Sequence, residues 1–282
     1  DAGLSIFATN QASVAGAMAA QSLDVSGGLL TLADTGSLTS LGDMRLLSTR
    51  QQLDGVAGAG RNLSIDAREL NAAHSGKISA QNDIHANITG SGQWSGSLIA
   101  GQDLTFTAGD FSNGGTLAAN RNGQFSFNTL DNDGLLQSMG SQWLSGGTFN
   151  NNGTSQSGGV QTLTLSQLNH QGLIGSQGNV DVNVRDGMTS GDNSTLLSGG
   201  YLTLRAAQAE LGGTLTAALG ADLHGTSLTS RVGSVQTSQG DVSLNAESAT
   251  LNGFLSADGA MTLKTGNLTT GSGSQTQGKN AL

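Results

Sequence analysis

The 282-residue sequence has no cysteine and no proline, one tyrosine and two tryptophans, and only 11% of it is charged. Each shortage closes off a class of structure. Without cysteine there is neither a disulfide framework nor a thiolate metal site. That does not place the chain in a cytoplasm, because surface proteins that cross a membrane unfolded also do without cysteine. Without proline no ladder donor is lost, which suits a chain made almost wholly of hydrogen-bonded strands. The eleven Lys and Arg are scattered among twenty Asp and Glu, giving a net charge of −9. Nucleic-acid binding needs a clustered basic face, which is excluded on this count, and an anionic membrane surface would repel the chain. The longest small-apolar stretch, near Val14–Ala20, falls far short of the ~20 residues of a spanning helix, so membrane insertion is not expected.

What the chain has instead is glycine, 44 residues against the roughly 20 that average usage would give, and a repeated phrase. Glycine followed by an apolar–any–apolar triplet occurs as GQDLTF at 101–106, GGYLTL at 199–204, GDVSL at 240–244 and GAMTL at 259–263. The first apolar residues of the copies are Leu4, Leu23, Met44, Leu63, Ile84, Leu104, Phe125, Trp143, Leu163, Val180, Leu202, Leu223, Val242 and Met261. A period of about twenty residues is that of a solenoid, in which each copy stacks on the next.

Residues 101–120 contain three short apolar segments separated by turn residues: Leu104 and Phe106, then Phe111 before Asn113-Gly114-Gly115, then Leu117. Helical repeats need more than thirty residues and strong helix formers. The pattern therefore predicts an all-β fold, a parallel β-helix of about fourteen coils with three strand segments per turn. Right-handed winding is expected, since parallel crossovers are overwhelmingly right-handed. The second segment is expected to carry Leu70, Phe111, Leu130, Phe149, Leu168, Leu228 and Leu251, and the third Ile78, Leu117, Leu135, Ile174, Leu215, Val235 and Leu255. The pattern is already running at its first copy and still running at its last. This predicts a single repeat domain over 1–282, an internal piece of a longer chain.

Asparagine follows the second segment at Asn71, Asn113, Asn132, Asn151, Asn169 and Asn252. Stacked amides bond to the copies above and below, so a structural asparagine ladder is expected at this turn. Its phase favours that over a sugar- or ion-binding row. Asp43, Asp83, Asp103, Asp222 and Asp241 recur before the first segment, where a carboxylate bonds the turn backbone.

Catalytic constellations are hard to assemble. Glu69, Glu210 and Glu247 are the only glutamates and lie on different coils, whereas glycoside hydrolysis needs paired carboxylates. His74, His85, His170 and His224 occur singly, without ligand spacing, and are read as solvated histidines rather than a metal site. Asp131-Asn132-Asp133 is the one tight acidic pair, and it falls in the asparagine turn. No catalytic, metal or cofactor site is expected, and the chain is not read as an enzyme. The regularity weakens at 44–60, 88–100 and 185–198. Such stretches mark either binding loops leaving the coil or local accommodation of an insertion. Candidate binding residues are Trp94, in the second of these stretches, and Tyr201 and Arg205, which alternation points outward. Trp143 takes an inward slot.

Copies such as GQDLTFTAGDFSNGGTLAAN and GDVSLNAESATLNGFLSADG resemble the filamentous-haemagglutinin repeat of large exoproteins secreted by the two-partner pathway. That family includes adhesins and contact-dependent growth inhibition effectors. The resemblance covers essentially the whole chain. It implies a right-handed β-helical shaft outside the outer membrane of a Gram-negative cell, passed through an outer-membrane transporter during secretion. It also implies one of two roles: a stalk presenting binding or toxin modules, or the receptor-binding segment itself, contacting an outer-membrane protein or surface glycan. A polysaccharide-active enzyme on the same architecture is the remaining alternative.

Overall fold

The computed structural model describes residues 3–279. All 28 regular elements among them are strands, and long strands of 10 or 11 residues alternate with short strands of four. One long and one short strand make each turn of a parallel β-solenoid with fourteen turns. Contacts divide the chain into two units, Asp1–Gly140 and Ser141–Leu282, and seven turns fall in each. In the first unit the long strands run from Leu4–Val14 to Gly123–Asn132 and pair only with long strands of adjacent turns. The short strands, Ala17–Ala20 to Leu135–Ser138, pair likewise. The second unit repeats this from Gln142–Asn151 and Thr154–Ser157 to Met261–Thr270 and Gln275–Gly278.

Two of the three expected segments are one strand. In Leu63–Ala72, Leu63, Ile65 and Ala67 face inward, Arg68 and Glu69 both face out, and Leu70 and Ala72 face in again. Two successive outward residues break the period-two alternation, which bends the strand around a corner without interrupting its ladder. Inward aliphatic side chains then stack turn upon turn, for example Leu23, Met44, Leu63, Ile84 and Leu104, all at most 2% exposed. Each such burial contributes about 1.5–3 kcal/mol.

Turn length varies from 19 residues, as in Leu104↔Gly123, to 22, in Val180↔Leu202. Only two devices lengthen a turn. One is a four-residue link between long and short strand, as at 191–194, in place of two. The other is a one-residue bulge at the corner, as after Ile88 and after Val184. Residues 88–100 use the bulge, 185–198 use both, and 44–60 use neither. All three irregular stretches stay within the coil, so accommodation rather than excursion explains them. Gly233, at φ 80° in one four-residue link, occupies the left-handed region where glycine carries no Cβ penalty.

The apolar pattern misplaced several side chains. Phe125 stacks on Phe106, not on Leu104, so Gly123 occupies the first rung of its turn. In the second unit Gln142 and Gln161 occupy the first rung of their own turns, leaving Leu163 two places on. Trp143 faces outward and is 43% exposed. On the short strands Leu136 and Gln236 point inward where Leu135 and Val235 were expected. Leu251 is buried but belongs to the next rung, Ala249 taking the expected place. The buried glutamines are sustained by one another. Gln161 Nε2 donates to Gln142 Oε1 at 2.8 Å and to Ser155 Oγ at 2.7 Å, and Ser155 donates to Gln142 Oε1 at 2.8 Å.

Candidate functional site

The last inward rung of the long strand carries the polar ladder. Asn113, Asn132 and Asn151 are fully buried there. Asn113 Nδ2 donates to Asn132 Oδ1 at 2.8 Å and to the Leu135 carbonyl at 3.3 Å. Asn151 Nδ2 donates to the Leu173 carbonyl at 3.0 Å. The ladder is shorter than expected, because Asn71 and Asn169 precede the inward rung by one residue and Asn252 follows it. Their rungs are filled by Ala72, His170 and Leu251. The outer amides make smaller bonds: Asn71 Oδ1 accepts from the Gln93 backbone at 3.1 Å, and Asn169 Nδ2 donates to Asn150 Oδ1 at 2.7 Å.

His170 is thus no solvated histidine. It is fully buried, with Nδ1 3.3 Å from Asn151 Nδ2 and Nε2 2.9 Å from the Thr195 carbonyl. A carbonyl only accepts, so Nε2 carries the proton and Nδ1 accepts from the amide. Burial holds its pKa below the ordinary value, against the opposing pull of its hydrogen bonds.

Trp94 occupies the same rung between Ala72 and Asn113. It is 0% exposed and therefore belongs to the core rather than to a binding surface. The second glycine-flanked stretch bulges at the corner, which shifts the phase of the residues after it and turns the indole inward.

Tyr201 and Arg205 are exposed, as alternation predicts, Tyr201 at 56%. The Tyr201 ring lies over Gly220 of the following turn, where an added Cβ would come within 3.0 Å of it. Arg205 stands four residues further along the strand, so the two side chains share a face without touching. In register with Arg205, one per turn, are Asn183, His224, Asn245 and Lys264. His224 is held by Asp222 at 2.8 Å, whereas Arg205 and Lys264 form no ion pair among the described residues. The sequence reading missed this column, because its spacing of 19 to 22 residues follows the varying turn lengths and is fixed only by the cross-turn register.

The turn aspartates do bond the backbone. Asp43 Oδ1 accepts from the Asn62 N–H at 3.1 Å, Asp83 from Asp103 at 3.0 Å, Asp103 from Asn122 at 3.1 Å and Asp241 from Ala260 at 2.7 Å. Asp222, inside the strand Gly220–Ser230, is instead paired with His224. Arg61 and Arg121 fork onto Asp43 and Asp103. The Arg61 and Arg121 bonds, with those from the following backbone, hold both carboxyls below their ordinary pKa. A shallow groove in the first unit runs past Asp24, Arg45, Asn62 and His85, but Asp43 at its edge is committed to Arg61. No three His, Asp or Glu side chains gather as metal ligands among the described residues.

Comparisons of the sequence with protein-family models, with curated proteins and with solved structures gave no match.

Proposed function

We propose that this chain is a segment of an extracellular β-helical filament of the two-partner-secreted kind, a spacer that holds binding or toxin modules away from a Gram-negative cell. The observation that carries the reading is the way length changes are absorbed. Bulges and two-residue extensions take up every insertion inside a turn, so the strand ladders of each unit run on unbroken. A spacer needs that property, because its stability grows with stacked turns rather than with one central core. The repeat's resemblance to filamentous haemagglutinin and the lack of cysteine support an exported chain that passes an outer-membrane transporter unfolded.

A second reading rests on the outward column through Arg205: the segment also touches an outer-membrane protein or glycan on a neighbouring cell. Exposed Tyr and Arg favour recognition, and both stand on this face. Flow cytometry of the labelled chain on intact Gram-negative cells separates the readings. Saturable binding that is lost in surface mutants of the target supports receptor contact. Folded chain without binding leaves the spacer alone.

A further inference from the structure

In the second unit a shallow trough follows the corner of the long strands across successive turns. Two grooves of about 560 and 440 Å3 meet at His224 and Gly225. Small residues make the depression: Ala206, Gly225 and Ala246 lie in register at the bend. One wall is the column Asn183, Arg205, His224, Asn245 and Lys264, which spans roughly 19 Å at ~4.8 Å per turn. The linings hold Arg185, Arg205 and Lys264 against one carboxylate, Glu247. Arg185 forks onto the adjacent Asp186 at 2.9 Å and His224 pairs with Asp222, which leaves Arg205 and Lys264 as the cations of the trough that form no ion pair among the described residues.

The geometry points to a binding site for an extended anionic saccharide along this trough, its acidic groups on Arg205 and Lys264 and its hydroxyls on Asn183 and Asn245. The inference rests on the receptor-contact reading and names its ligand. Three observations favour a saccharide over a peptide. The strands under the trough are paired on both sides, so they offer no free edge to an extended peptide. The wall is polar, without an apolar pocket to seat a side chain. Its carboxamides both donate and accept, as hydroxyl-rich chains require. The cations sit three turns apart, which fits charges spaced along a chain better than a single small anion.

Calorimetry on the full chain tests this, with oligogalacturonate, its methyl ester, a sulfated heparin-derived oligosaccharide and poly-glutamate as probes. Binding of the carboxylated or the sulfated saccharide is expected, and which of them binds identifies the acid group. The methyl ester should bind at least tenfold more weakly than the free acid. Arg205→Ser with Lys264→Ser should weaken binding at least tenfold, and added salt should weaken it further, as expected for solvent-exposed charges. Both side chains are exposed and form no ion pair among the described residues, so an unchanged thermal melt verifies that the variant is folded. No binding by either acidic saccharide, indifference to the double substitution, or equal binding of poly-glutamate would overturn the proposal. If the chain binds cells saturably but neither saccharide, receptor contact stands and the trough assignment falls. Absence of both removes both.

Discussion

The imidazole of His170 stacks on the carboxamide of Asn151, with Nδ1 3.3 Å from the amide nitrogen. It does in its turn what asparagine does in the turns before it. Unlike asparagine, it can be protonated. Asn151 Nδ2 also donates to the Leu173 carbonyl, so the amide cannot turn its oxygen to a protonated Nδ1 without losing that bond.

A pH dependence follows. The folded pKa of His170 lies below its ordinary value of 6.5, so between the two values the unfolded chain binds more protons. Stability is therefore full above pH 6.5 and falls as pH drops from 6.5 toward the folded pKa. Urea midpoints at pH 7.5 and 5.0 measure it. His170→Asn should remove this part of the acid loss and keep the fold.

Rung position separates the asparagines. Asn113→Ala loses bonds to Asn132, to the Leu135 carbonyl and to the Gly115 N–H, and is expected to cost about 1–3 kcal/mol in urea unfolding. Asn71→Ala, one residue outside the rung, loses one exposed bond and should stay within about 0.5 kcal/mol. Equal costs would contradict the shortened ladder.

Gln236 stands in a column of Leu196, Leu215 and Leu255, and its buried Nε2 finds no partner among the described residues. Gln236→Leu replaces an unsatisfied polar group with a side chain its neighbours match. It should raise stability by about 1–3 kcal/mol, measured as a higher urea midpoint.

The two tryptophans report the phase correction directly. Trp143 is exposed and Trp94 fully buried, so acrylamide should quench one component of the emission and spare the other. Trp143→Phe should remove the quenchable component, and Trp94→Phe the protected one.

The period, the all-strand content and the parallel stacking were legible because aliphatic residues such as Leu63, Ile84 and Leu104 mark the inward rung by hydropathy alone. Phase was lost where polar residues turn inward. Gln142 and Gln161 are sheltered by bonds to each other and to Ser155, partners six to nineteen residues away that no local pattern displays. Next to Gln142, Trp143 then looked like the rung. Trp94 was misread because glycines flank it like a loop; the one-residue bulge after Ile88 undoes the reversal of alternation that an ordinary corner makes, and so keeps Trp94 in step with the inward Ile84 and Ile88. Tyr201 and Arg205 were placed correctly because Leu202 and Leu204 fix their strand. Asn183, His224, Asn245 and Lys264 became a column only when cross-turn register was known.

Removing one whole turn tests the central claim, that this is an extendable stack of equivalent turns. Leu104 and Gly123 occupy the same rung, so deleting residues 104–122 joins Asp103 to Gly123 with every later rung in phase. The deletion should leave β-sheet circular dichroism per residue unchanged and a cooperative urea transition in place. A ten-residue deletion from 104–113, which breaks register, should abolish both. Unfolding or aggregation of the one-turn deletion, with the same outcome for both constructions, would contradict the account.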